Sequence, residues 1–198
     1  MDMRGKYKSY IRFVVYMFIF WLLITQIYTM KFLIMGAAAS FVVAWICMPL
    51  FTIRNLSQTK QYFVFDVSLV KFFAYFIWLM KELVLANLDV TKAVMQKTVR
   101  IEPKVICFRV NFDNPLAIAL LANSITLTPG TITLHVNKSN VYEIHALTRT
   151  AAQGILDGSM AKKVAWLYDY DDTVEILDTN TVTPHSNCSG KESVVKKL

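Results

Sequence analysis

The sequence predicts a membrane protein: an α-helical transmembrane hairpin, then a long amphipathic helix, then a small cytoplasmic α+β domain. Three observations predict it. Residues 13–30 and 32–53 are two charge-free runs lying back to back. From Leu69 to Val99 a third apolar stretch gathers most of its charges on one narrow stripe. After Pro103 the apolar period changes from helical to alternating.

Each charge-free run is long enough to cross a hydrocarbon core of about 30 Å, at about 1.5 Å per helical residue. Hydrophobic residues make up 55 % of the chain and charged residues 18 %, against roughly 45–50 % and 25 % in a soluble domain. The excess lies between Phe13 and Leu88, so it cannot be the buried core of a chain this short. The first run is too long for the apolar part of a secretory signal, and no small-residue cleavage site precedes the second. A very short connection around Thr29–Phe32 forces the two helices antiparallel, spanning 13–29 and 32–53 within a hairpin of 13–54. Gly36, Ala37, Ala38, Ala39 and Ser40 offer small residues for close helix packing in lipid. Trp21, Tyr28 and Trp45 read equally as interface anchors or packing residues, and Pro49 as a kink or an early helix end. Neither run holds an Asp, Glu, Lys, Arg or His, so the hairpin alone is no ion pathway.

The net charge of +7 has two readings, nucleic acid or an anionic membrane surface. Basic residues flank the apolar segments, as with Arg4, Lys6, Lys8 and Arg12 in the basic N-terminus 1–12, and no zinc-finger spacing or aromatic-basic RNA motif is present. The membrane reading wins and nucleic acid is excluded. By the positive-inside rule, these residues place the N-terminus in the cytoplasm, and the basic residues from Arg54 to Lys104 place the returning chain there too.

Residues 62–100 contain the third apolar element. With about 100° per residue, Lys71, Lys81, Glu82, Asp89, Lys92 and Gln96 share one side, while Phe72, Phe73, Phe76, Leu79, Met80, Leu83 and Val84 cover the other. Asn87 and Lys97 are the exceptions. Such a helix lies along the interface or against a partner; a third membrane span is the competing reading. The charge count favours two spans.

In the domain at 104–170, Val105–Asn111 reads as a strand. Asp113-Asn114-Pro115 opens a buried helix, Leu116–Ala122. Leu127-Thr128-Pro129-Gly130 is a turn with Gly130 at a positive φ. Thr131–Val136 and Val141–His145 form a hairpin through Asn137–Asn140, Thr150–Tyr168 is a helix capped by Thr148 or Thr150, and Val174–Leu177 is a last strand. The order β-α-β-β-α suits a ferredoxin-like layer. The tail at 179–198 is polar and flexible. Asp169, Asp171 and Asp172 read as a solvated helix end.

No chemistry stands out. His135 and His145 lack a third metal ligand, and His185 with Cys188 sits in the tail. Cys47, Cys107 and Cys188 form no disulfide framework, which suggests a reducing compartment, and Cys107 has no partner to make it a nucleophile. Ser124, Thr126, Thr128, Thr131 and Thr133 form a hydroxyl-rich segment without a phosphate-binding loop. No enzyme, metal or cofactor is expected.

Lys81-Glu82-Leu83-Val84-Leu85-Ala86-Asn87 resembles the K-E-L-x-x-A-N stretch of the E subunit of the multisubunit cation/proton antiporters, the Mrp, Mnh or Pha systems. Asn123–Thr131 resembles that family's N-S-I-T-L-T-P-G-T motif, and Tyr142–Leu147 its Y-x-H-A-L strand. With the hairpin, the likeness covers about residues 10–165. The resemblance implies an accessory subunit of a multi-pass complex in the bacterial inner membrane, exchanging Na+ or K+ for H+, with large antiporter-like subunits and small F and G subunits as partners. It implies that Thr128, Pro129 and Gly130 form a docking turn and that Glu82 and Asn87 face a partner or the ion path. Asn87 projects from the apolar side, where an unpaired amide is costly, which points to a partner contact. The alternative is a stand-alone, membrane-anchored cytoplasmic binding module.

Overall fold

A computed structural model describes residues 3–55, 60–96, 102–170, 174–178 and 196–197. It divides into two compact units, Met1–Asp66 and Val67–Leu198.

The first unit holds the helical hairpin, α1 (Met3–Thr25) and α2 (Met30–Cys47). Both are long and apolar enough to cross a membrane. The turn falls at Gln26–Thr29, earlier than expected, and Lys31 lies inside α2. Charge marks where a span leaves lipid but not where the backbone turns. The break itself is local: the Thr25 hydroxyl donates to the Trp21 carbonyl at 2.8 Å, and Gln26 takes φ 53°. α2 ends before Pro49, so this proline marks an early end and not a kink.

Gly36, Ser40 and Ala44 recur every fourth residue and are the buried positions of α2, a small-residue stripe that lets two helices approach closely. Trp21 lies over Gly36 so closely that a Cβ there would sit 2.4 Å from its indole. Trp21 is therefore a packing residue, whereas Tyr28 and Trp45 are exposed. Phe13 packs with Ala44 and meets Phe51 and Phe63 edge-on, with ring centroids 5.3 and 5.9 Å away.

Two short strands after α2 were not visible in the sequence periodicity. Strands β1 (Thr52–Arg54) and β2 (Gln61–Phe63) pair antiparallel, and a 3-10 turn, Val64–Asp66, closes the unit. Three-residue strands are too short to show alternation. Asp66 accepts hydrogen bonds from Ser9 Oγ at 2.7 Å and from Arg12 at 2.9 Å. Arg12, the last residue of the basic flank, is ion-paired.

The second unit opens with α3 (Leu69–Met95) and continues with β3 (Lys104–Val110), α4 (Pro115–Leu127), β4 (Thr131–Val136), β5 (Val141–Ala146), α5 (Arg149–Leu156), α6 (Ser159–Leu167), β6 (Val174–Asp178) and β7 (Lys196–Lys197). The strands form one sheet in the order β4-β5-β3-β6-β7, each pair antiparallel. Asn114 caps α4 by accepting from the Leu116 amide, with Pro115 in the first turn, as its sequence predicts. α4 runs past Ala122 to Leu127 because its apolar positions continue through Leu121 and Ile125, both buried. Thr148 caps α5 by accepting from the Ala151 amide. The helix expected over Thr150–Tyr168 is broken in two at Gly158, which takes φ 64°; an Asp-Gly-Ser stop was legible there and a continuous period hid it. The tail from Thr179 lies outside the described residues except for β7, and so do Asp171 and Asp172.

Tyr142 anchors the core. It is fully buried, its ring stacks on Phe108 at 5.1 Å, and its hydroxyl donates to the Ile118 carbonyl. Burial pushes its pKa up, and pushes that of Tyr168 up to about 12, with the charge of Tyr75 adding to the second shift. A tyrosine that holds its proton more tightly when folded stabilises the fold fully below the unfolded pKa of 10.0. That stability falls as pH rises through the folded value. The domain is therefore expected to lose stability in alkali between about pH 10 and 12, with Tyr168 ionising later than an exposed tyrosine. Tyrosinate absorbance followed alongside circular dichroism checks this; a Tyr168 that ionises with its fold intact at pH 10 contradicts it.

Candidate functional site

The segment Asn123–Thr131 ends α4 and turns into β4. Terminal helix carbonyls lack intrahelical partners, and here hydroxyls supply them. Thr128 Oγ1 and Thr131 Oγ1 both donate to the Ile125 carbonyl at 2.6 Å. Thr126 Oγ1 and Thr133 Oγ1 both donate to that of Ala122, at 2.9 and 3.0 Å. The Thr133 amide then donates to Thr126 Oγ1. The hydroxyl-rich run is thus a side-chain cap that fixes the helix end to the next strand. Gly130 takes φ 87°, where only glycine is unstrained, and its carbonyl accepts from the Leu147 amide at 2.8 Å. That bond joins this segment to the end of Tyr142–Leu147. Replacing Gly130 by alanine is expected to cost about 1–2 kcal/mol, the strain of a left-handed L-residue. A Cβ there would make only ordinary contacts, with Ala151 and Val90 at 3.5 and 3.6 Å. Thermal unfolding of the variant measures the loss.

Ser124 shares a hydrogen bond of 2.6 Å with the hydroxyl of Tyr75 on α3, and both residues are buried. The sequence alone gives Ser124 no partner and shows Tyr75 only as part of an apolar run. Lys71 pairs with Asp169, which stays largely exposed just past the end of α6. Lys163 lies over the rings of Trp166 at 4.8 Å and Trp78 at 6.0 Å.

Beside these contacts runs a groove of about 820 Å³. Glu82, Thr128 and Pro129 line it, with Trp78, Asp89, Arg149, Asp157 and Met160. Gly130 adjoins it through Val90. Four of the five residues implicated by resemblance therefore gather in one place. Asn87 does not. It lies about 140° round the helix from Glu82, exposed, and its amide is not unpaired: Nδ2 donates to the Leu83 carbonyl at 2.8 Å. The reason for giving Asn87 a partner falls with that bond. The groove mixes Glu82, Asp89, Glu102 and Asp157 with Lys92 and Arg149, a lining suited to a polar protein surface. Among the described residues, no cluster of His, Cys, Asp or Glu is placed to hold a metal. The sheet register sets His145 opposite Ile132 and His135 opposite Glu143, so the two histidines are not partners across the ladder. Cys107 is disulfide-bonded and so offers no free thiol; Cys47 is free.

The family model described as Na+/H+ ion antiporter subunit matches residues 14–165. That range takes in the second half of α1, all of α2 and α3, the hydroxyl-capped turn, α5 and most of α6. The chain belongs to this antiporter-subunit family. Subunit E1 of the Na(+)/H(+) antiporter of Staphylococcus saprophyticus is 29 % identical over 131 residues, 65 % of this chain and 76 % of the relative. The E1 subunit of Staphylococcus aureus strain Newman gives the same figures. A chain from the membrane-bound sulfane sulfur reductase, an archaeal respiratory membrane complex, has 30 % identity and a TM-score of 0.52, covering 72 % of this chain and 86 % of that one. The two apolar helices accord with a membrane location for an antiporter-family subunit.

Proposed function

We propose that the chain is an accessory subunit, not an enzyme, of a multisubunit antiporter that exchanges Na+ or K+ for H+ across the bacterial inner membrane. The observation that carries this reading is the family match over residues 14–165. The hairpin supports an accessory role, because α1 and α2 carry no Asp, Glu, Lys, Arg or His between Phe13 and Met30 or from Phe32 to Cys47. Ion translocation then belongs to large antiporter-like subunits, with small F and G type subunits as neighbours. The soluble domain faces the cytoplasm in this reading, on the strength of the basic residues around Arg12 and Arg54. Its strand order, β4-β5-β3-β6, supports the ferredoxin-like description. The groove at Glu82, Thr128, Pro129 and Gly130 serves as the contact for a partner subunit, recognised by shape because the turn's hydroxyls are already bonded.

Deleting the chain from a host that carries the complex should abolish Na+- or K+-dependent proton exchange in membrane vesicles, and restoring it should rescue the exchange. Full antiport without the chain overturns the proposal. Pro129→Ala is expected to weaken co-purification of the other subunits; an intact complex with full activity rules out the docking turn. The chain alone in liposomes is expected to give no flux.

A further inference from the structure

α3 presents a face that neither its own domain nor the antiporter-subunit reading accounts for. At about 100° per residue, Val70, Phe73, Ile77, Met80, Val84 and Leu88 fall within an arc of roughly 80°. All six are exposed. The opposite face carries Tyr75 and Leu79, buried in the domain core.

From these placements we infer that the outer strip of α3 lies flat in the surface layer of an anionic phospholipid bilayer, with the helix parallel to the membrane. Four observations favour lipid. First, the domain accompanies the helix along its length, from the Lys71–Asp169 ion pair through Tyr75–Ser124 to Val90 beside Gly130. A helix bearing a polar α+β domain on one side cannot pass through hydrocarbon, so α3 is not a third span. Second, the two polar residues beside the strip turn inward. Asn87 Nδ2 donates to the Leu83 carbonyl and Thr91 Oγ1 to the Asn87 carbonyl, at 2.8 and 2.7 Å. Each bond satisfies a donor within the helix itself, which lowers the cost of setting these side chains against lipid. Third, one edge of the strip is basic and aromatic: Lys81 and Lys92 flank it, the latter 3.7 Å from Asp89, and Lys163 lies against Trp78 and half-exposed Trp166. Ammonium groups and indoles are the residues that settle among anionic headgroups. Fourth, α3 starts at Leu69, close in sequence behind two candidate spans, so the chain is tethered to a bilayer before the helix begins.

This inference rests on the membrane reading of the hairpin, and its test does not use antiport. Nitroxide side chains are placed singly at Phe73, Ile77, Val84 and Lys92 in the full chain, with Cys47→Ser, Cys107→Ala and Cys188→Ser as background. The labelled chain is reconstituted in phosphatidylcholine–phosphatidylglycerol vesicles. Labels at Phe73, Ile77 and Val84 are expected to show several-fold lower collision with a water-soluble nickel complex than the label at Lys92. They are expected to show raised collision with oxygen and a common shallow depth. Strip labels open to the nickel complex overturn the inference. So does a Val84 label at mid-bilayer depth, which would make α3 a span. So do strip labels that are aqueous in the lone chain and protected only in the assembled complex, which would identify a protein partner. Loss of antiport on deletion with any of these results leaves the subunit reading standing alone.

Discussion

Gly36→Val is expected to disrupt the hairpin more than any other single change in the first unit. Even the first added carbon would lie 2.4 Å from the Trp21 indole, well inside contact distance. Either the ring swings away from its place or α1 and α2 part along the whole Gly36–Ser40–Ala44 stripe. Overpacking a close-fitting site costs about 1–3 kcal/mol and more when the backbone must move. In lipid, where close packing is itself what joins helices, there is no hydrophobic gain to offset it. The measurement is thermal unfolding of the detergent-solubilised chain, with recovery of assembled complex as a second readout. Trp21→Ala combined with Gly36→Val should recover much of the loss, because the smaller side chain vacates the contested space. A hairpin as stable in Gly36→Val as in the parent chain means that Trp21 does not pack there.

The second large effect is expected at Tyr75. It is 2 % exposed, packs in the domain core and bonds to Ser124, which is 1 % exposed. Tyr75→Ala removes an aromatic ring and strands a buried hydroxyl, a loss of about 3–5 kcal/mol. That is enough to detach α3 from the domain. Tyr75→Phe and Ser124→Ala should each cost about 1–3 kcal/mol, since each leaves one buried hydroxyl without its partner. The double variant should cost less than their sum. Denaturant unfolding and amide exchange over α3 and α4 supply the numbers. If Tyr75→Ala leaves exchange along α3 unchanged, the helix is held by something other than this core.

Much of this architecture was legible because its causes are local. Charge-free runs, a proline after Asn114, a glycine in the Thr-Pro-Gly turn and alternating strands each act within a few residues. The failures have a different origin. β1 and β2 are held by Phe63 packing on Phe13, a contact across 50 positions that no window of sequence reveals. The α5–α6 break was masked because apolar positions continue on both sides of Gly158. For the site, the sequence could mark Glu82, Thr128, Pro129 and Gly130 individually, but only the fold brings the first three to one groove, with Gly130 beside it. Asn87 misled because an exposed amide on an apolar face looks unsatisfied until its bond to the preceding helical turn is seen. Tyr75–Ser124 was invisible for the same reason as β1 and β2: its partners lie 49 positions apart.

The two compact units are each continuous in sequence, Met1–Asp66 and Val67–Leu198, and that continuity shapes how the chain is made. Every contact of the hairpin with its flanking strands is available once residue 66 has left the ribosome, so insertion can finish while the rest is still being translated. The sheet is different. Its first strand, β3, sits between β5 and β6, so one edge of β3 stays open until residue 178 is synthesised. An unpaired edge is a site for wrong pairing with another chain. The nascent protein is thus most vulnerable late, with its anchor already seated, and a stall near the C-terminus leaves a membrane-held fragment with an exposed sheet edge.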